Sequence, residues 1–400
     1  MSEDFPQALV RLRTARRWSR KGLAERTGYT YQYVWEQETG RKPPTDAFAE
    51  ACDRALEADG ALIALATEED DVQRRTLLGI GALAPLAAME TIRHGLTRTL
   101  AGDAADEVDL DEWDEIAWEY GHTFLTTPPA VLIRDLSADA LAVQQLIESG
   151  PERTRDRYCR VAARLAGITA LTWASLSEPR QAWRWWRTAR VAADASGDLD
   201  TRMWCRSGEV VNGLYERRPI PVLLKLADEA VALGGDRVNR GVVSLWAGIA
   251  QANATIGRAE VAERAMRQAE ALASRLPANI RETDGVDGWP EYRLHHTRSY
   301  AYSELGDTKR AYEAQDRALA LYPESMFRNR AQVQLHRAAC LVRDGDISGG
   351  VRYALSTLQE VPEAFRASAT IRTVGRKVID AAPRAHNHRD ELESLAEALA

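Results

Sequence analysis

Residues 19–42 read SRKGLAERTGYTYQYVWEQETGRK. The stretch predicts a helix, a tight turn, a second helix and a Gly-closed loop. Ser19 suits the N-cap of a helix running to about Arg26, its hydroxyl accepting from an otherwise free backbone N–H. Leu23 and Ala24 give that helix an apolar face. Gly28 supplies the left-handed backbone that a sharp turn requires. Thr30 caps a second helix from Tyr31 to about Glu38, and Gly40 ends it. Two short helices meeting steeply across a Gly turn form the unit whose second helix enters the DNA major groove.

Outward from this stretch, a first helix is expected over about Phe5 to Arg16, with Leu9 and Leu12 on its apolar face. Pro43-Pro44 stop the chain, and Thr45 or Asp46 caps a further helix through about Leu56. Ala47, Phe48, Ala51, Cys52 and Ala55 recur there at helical spacing and close the core. Gly60 breaks the chain before Leu62, Ile63 and Leu65, which pack as a last short helix, and Glu68-Glu69-Asp70-Asp71 reads as an acidic hinge. The segment from Phe5 to about Ala66 resembles the Xre/lambdoid-repressor type of helix-turn-helix domain. The resemblance rests on Leu9, Leu12, the run from Ser19 to Gly28, Val34, and Glu38-Thr39-Gly40-Arg41-Lys42-Pro43. It covers about one sixth of the chain. Where the family often has Gln at the start of its second helix, this chain has Arg20, which favours a phosphate contact there over a base edge.

The resemblance implies base contacts from Tyr31, Gln32 and Glu36. An amide suits adenine, with one donor and one acceptor, and a carboxylate accepts from cytosine; Tyr31 suits a thymine methyl or a phosphate. Arg16, Arg20, Arg41 and Lys42 are expected on phosphates, where they set register, with Trp35 against the sugar-phosphate wall. The family's habit of binding two half-sites implies a homodimer on a double-stranded operator.

The 400 residues carry a formal charge of −7, which argues against coating nucleic acid along the whole chain and, with the length, for at least two domains. The cations bunch early, however. Arg11, Arg13, Arg16, Arg17, Arg20 and Lys21 lie within eleven positions, and a local basic face suffices for phosphate binding. The four cysteines are far apart and form no CxxC pair, so neither a zinc framework nor a disulfide scaffold follows, and a reducing, cytoplasmic setting fits. No apolar run approaches the roughly 18 to 20 residues of a membrane span. Residues 74–88 are similar to a twin-arginine export signal, but their place after a DNA-binding domain favours a buried, Gly-rich linker helix.

Residues 67–150 read as a helical connector, and from about residue 151 the chain repeats itself. The clearest unit is Tyr292 to Pro323, YRLHHTRSYAYSELGDTKRAYEAQDRALALYP. It resembles a tetratricopeptide repeat: Ser299 is the small residue of its first helix, Tyr302 the following aromatic, Gly306-Asp307 the turn, Ala311 and Ala318-Leu319 the packing of the second helix, and Pro323 the close. Weaker units surround Ala163–Ser196, Trp204–Leu233, Val243–Ala273 and Ala331–Val361, spaced by about 40 residues where the family has about 34. Residues 364–400 read as a terminal capping pair. The expectation is an all-α chain, a helix-turn-helix domain over 1–66 followed by a right-handed helical-repeat solenoid over 151–400.

The resemblance implies that the first helix of each pair lines a concave wall. Its inward positions are Arg164 and Leu171, Asn212 and Tyr215, Gln251, then Arg293, His296 and Tyr300, and finally Gln332 and Leu335. Side-chain amides grip a peptide main chain, and Arg holds carboxylates. The layout resembles peptide-sensing regulators of Gram-positive bacteria, and the Ala/Arg content and abundant Trp suggest an actinobacterial setting. The expected ligand is a short signalling peptide, with a small diffusible molecule second; a small partner protein docked on the array is the rival. No GxSxG and no Walker-type loop is present, and His386 and His388 lack carboxylates at metal spacing. Neither catalysis, a cofactor nor a metal is expected.

Overall fold

The computed structural model describes residues 5–39, 44–58, 60–63, 65, 93, 95–97, 99–100, 105–366, 368–383 and 388–399. Every regular element among them is a helix, and none is long and apolar enough to cross a membrane. The chain divides into two compact units, residues 1–86 and 87–400. The acidic hinge at 68–71 and the segment 74–88 lie outside the described residues, as does Gly40.

The first unit holds α1 (Phe5–Ala15), α2 (Arg20–Thr27), α3 (Tyr31–Glu38) and α4 (Asp46–Leu56). Each of the last three starts on a side-chain cap. Ser19 Oγ accepts from Gly22 N at 3.1 Å, Thr30 Oγ1 from Tyr33 N at 3.1 Å, and Thr45 Oγ1 from Phe48 N at 3.3 Å. Gly28 turns the chain between α2 and α3 at φ +77°, a conformation that a Cβ would strain. Phe5, Leu9, Leu23, Val34, Phe48, Cys52 and Leu56 pack into one core. Asp53 closes the unit by accepting from Gly60 N and Leu62 N, both at 2.9 Å.

The second unit begins, among the described helices, with α5 (Ala105–Thr123) and α6 (Pro129–Ser149). Antiparallel pairs follow: α7 (Glu152–Ser175) with α8 (Pro179–Ala195), α9 (Leu199–Tyr215) with α10 (Ile220–Gly234), and α11 (Arg240–Thr255) with α12 (Ala259–Ala273). A short α13 (Ala278–Glu282) precedes α14 (Glu291–Leu305) with α15 (Thr308–Leu321), and α16 (Phe327–Arg343) with α17 (Ile347–Glu360). The chain ends in α18 (Glu363–Arg366), α19 (Ala369–Asp380), packed on α16, and α20 (Arg389–Ala398), packed on α17. The first helices stack in order, α9 on α11, α11 on α14 and α14 on α16, which makes the unit a helical-repeat solenoid. Trp113 of α5 and Leu136 of α6 share a core with Tyr158, Ile168 and Trp186. The described part of the expected connector therefore packs as the first layers of the array.

The repeat is written most clearly in its turns. Left-handed residues stand at Ser177, Arg217, Gly257, Gly306 and Gly345, at intervals of 40, 40, 49 and 39 residues. The long interval contains α13 and residues 283–290. Arg217 and Ser177 bear the cost of a side chain at φ > 0, so only three of the five turns announce themselves as glycine.

The stack is tight where small residues face it. A Cβ on Gly241 of α11 would lie 2.7 Å from the Met203 carbonyl carbon and 2.8 Å from Trp204 N. The obstruction is backbone and cannot rotate away. We expect Gly241→Ala to destabilise the second unit by about 1–3 kcal/mol in urea unfolding, because forcing α9 and α11 apart outweighs the roughly 1 kcal/mol that alanine gains as a helix former. A neutral or stabilising result would contradict this close approach.

Candidate functional site

The first unit presents one face of α3 outward. Val34, Gln37 and Glu38 are buried, and Tyr33 leans on Phe48 with ring centroids 5.1 Å apart. Tyr31 and Gln32 are exposed on the opposite side, Tyr31 by 55 %. Trp35 and Glu36 sit half-buried one turn further on. Gln32 Nε2 donates to Glu36 Oε1 at 3.3 Å, an exchangeable contact that aligns the two polar groups along one edge. All four residues expected at the double helix from α3 thus share an accessible face.

The expected phosphate contacts divide differently. Arg16 pairs with the exposed Glu57 at 3.0 Å, a contact worth little in water that leaves the guanidinium free to exchange. Arg20 donates from Nε to Glu38 Oε2 at 2.6 Å, Glu38 being fully buried, and Tyr31 adds a smaller favourable interaction. A guanidinium has five donors, so this bond orients Arg20 without exhausting it. Arg13, counted within the early basic run, is not part of the surface: it is buried, and its Nε and Nη2 both bond Glu38, Nη2 at 3.1 Å. Its Nη1 holds Trp18 O at 2.6 Å. Arg41 and Lys42 lie outside the described residues.

In the second unit the first helices of the pairs converge on a cavity of about 170 Å³. Leu171, Asn212, Tyr215, Gln251, Arg293, His296 and Gln332, seven of the ten expected inward residues, line it. Tyr215 OH meets His296 Nε2 at 3.2 Å and Tyr322 OH meets His296 Nδ1 at 3.0 Å. Burial, with the charge of Arg293 adding to it, pushes His296 down to about 4, so the ring is neutral near pH 7. Tyr300 and Arg164 lie elsewhere. Tyr300 lines a separate cavity of about 540 Å³ with Lys377, whose Nζ reaches its hydroxyl at 2.8 Å. Arg164 stacks on Trp204 at 4.1 Å and bonds Asp287. Leu335 is core.

The expected open wall is closed on two sides. Residues 283–290 reach back across the array, where Val286 O accepts from Trp204 Nε1 at 3.1 Å and Asp287 bonds Arg164; Gly285, Val286 and Trp289 form one side of the cavity. Opposite, Arg328 of α16 reaches the beginning of the unit, donating to Phe124 O at 2.9 Å and to Ser175 Oγ at 3.1 Å. The array therefore curls until α16 and α19 meet its early layers, and the groove becomes a pocket. Sequence reasoning missed Arg240 and Arg328, both of which line it. Helical spacing held the signal, since Arg328 precedes Gln332 by one turn and Arg240 stands three turns before Gln251 on the same stripe.

Among the described residues no cluster of His, Cys, Asp or Glu is placed to hold a metal. All four cysteines are free and buried, and burial raises the thiols of Cys52 and Cys205 to about 12, which leaves them protonated and unreactive. No curated protein and no solved structure matches the chain. Residues 7–66 match the family model of a helix-turn-helix domain, so the first unit carries a helix-turn-helix DNA-binding domain.

Proposed function

We propose that the chain is a sequence-specific transcriptional regulator, working in the cytoplasm as a homodimer on a two-half-site operator. The carrying observation is the outward face of α3, with Tyr31, Gln32 and Glu36 at the positions from which this kind of domain reaches base edges. Arg16 and Arg20, with Arg41 and Lys42, hold the phosphates, and Trp35 rests against the backbone. Residues 1–66 act as the reading head and the array from 151 onward as the sensor, with no catalytic role. A ligand in the array switches DNA binding only by favouring one arrangement of the helix pairs over another. The strap at 283–290 favours a compact ligand over an extended peptide, because a peptide lying along the concave wall would have to displace it.

A mobility-shift titration on the DNA upstream of the chain's own gene tests the head. Gln32→Ala is expected to weaken specific binding by about 1–3 kcal/mol and to relax discrimination at one base position. Arg16→Ala is expected to weaken specific and random DNA alike and to flatten the salt dependence. Unchanged binding by both variants would reject the assigned face.

A further inference from the structure

The cavity of the second unit carries a charge pattern that its own side chains do not satisfy. Arg240, Arg293 and Arg328 line it, and no carboxylate does. Buried cations are costly and are normally paired. Arg240 has no hydrogen bond and no ion pair among the described residues, and its Nε is buried without a partner. The Nε of Arg293 is likewise buried and unpartnered, while its Nη2 donates to the carbonyl of Gly285. Arg328 is 6 % exposed and bonds only neutral oxygens, packed between Phe124 and Phe365 at 4.4 and 5.0 Å.

The acid that Arg240 feels is Asp287, whose Oδ1 Arg164 holds while its Oδ2 is buried without a partner. Burial, with the charges of Arg293 and Arg164 adding to it and Asp287 opposing, brings Arg240 down to about 9. Arg328 is lowered to about 10 by burial alone. The cationic groups thus stand in two places: Arg240 and Arg293 feel each other, and Arg328 feels neither. His296 is neutral and supplies no compensating charge.

We infer that this cavity is a binding site for a compact organic anion, a carboxylate or phosphate on a flat apolar body. Arg240 and Arg293 take the anionic group through their free N–H donors. Trp204, Trp289 and Tyr292 wall the apolar body, and Gln251 offers an amide to a polar substituent. The inference deepens the ligand-sensor reading and rests on it for what binding does to DNA affinity. Arg240 and Arg293 are half-buried with their Nε atoms enclosed and unpartnered, and unpaired cationic donors at a cavity point to a counter-ion that arrives from outside.

The test is calorimetric titration and thermal melting of the full chain with phenylacetate, phenyl phosphate and inorganic phosphate. The neutral isostere phenylacetamide and one tripeptide, as free acid and as C-terminal amide, complete the set. At least one anionic organic probe should bind and raise the melting temperature, with phenylacetamide at least about tenfold weaker. Preference for phenyl phosphate over phenylacetate identifies a phosphate ligand, and preference for the free-acid tripeptide identifies a peptide carboxyl terminus; either supports the site. Arg240→Met should weaken the anion at least about tenfold and, without any probe, melt higher than the parent, because it removes a cation that bonds nothing. A merely structural arginine would melt lower when replaced. Equal binding of phenylacetamide, no binding of any anion at millimolar concentration, or a lower-melting Arg240→Met each overturns the proposal. No DNA enters the experiment, so anion binding that leaves operator affinity unchanged would keep the site and remove only the switch.

Discussion

Replacing Glu38 with alanine unfolds the DNA-binding head and leaves the second unit folded. Glu38 ends α3 with its carboxylate fully buried. It accepts from Arg13 of α1 and from Arg20 at the start of α2, so one side chain ties three helices. Truncation leaves the Arg13 guanidinium, whose side chain is only 10 % exposed, without its counter-charge. Breaking a buried pair from one side costs about 3–5 kcal/mol, and a domain of this size holds only about 3–9 kcal/mol altogether. Hydrogen exchange on the full chain should show protection lost across residues 5–63 and kept in α7 to α17, with DNA binding abolished. Joint replacement of both partners, Arg13→Met with Glu38→Leu, should recover most of the protection, since an apolar pair of similar volume is tolerated where a lone charge is not. Arg20 is 35 % exposed at its side chain and can turn to water. Retained protection in Glu38→Ala alone would show that the buried pair does not hold the head together.

The same carboxylate shows where sequence reasoning stops. The caps Ser19, Thr30 and Thr45, the turn at Gly28 and the outward position of Gln32 follow from local chemistry, because each depends on residues within four positions. Spacing from Phe5 and Leu9 puts Arg13 on the buried face of α1, but what makes a buried cation tolerable there is Glu38, 25 residues away. In the second unit Gly257, Gly306 and Gly345 mark turns locally, whereas Arg217 and Ser177 do the same work unmarked. The inward positions of the first helices came from the resemblance to a tetratricopeptide array, and seven of those ten residues meet at one cavity. The closure was not legible, since Arg328 and Phe124 are 204 residues apart and the strap at 283–290 belongs to no repeat. Those non-local contacts turn a groove into a pocket, and with it change the kind of ligand the chemistry favours.

A second large effect is expected from pH, at one wall of that pocket. Glu216 follows α9, and its Oε1 accepts from Trp186 Nε1 at 3.3 Å while Oε2 is buried without a partner. Burial raises its carboxyl from the ordinary 4.5 to about 8; the Trp186 bond and Arg218 oppose this, and the charge of Glu209 adds to it. Between those two pH values the folded chain keeps a proton that the unfolded chain has lost. Stability therefore falls as pH rises from about 4.5 to about 8 and levels off above that. A displacement of this size corresponds to at most about 5 kcal/mol. Glu216→Gln removes the titration while keeping an acceptor for the indole N–H. The variant should match the parent near pH 5 in urea unfolding and exceed it increasingly up to about pH 8, because only the parent is then forced to bury a charge. Parent and variant stabilities that run parallel from pH 5 to pH 8 would mean that Glu216 is ionised throughout, its burial offset by Arg218 more fully than the geometry indicates.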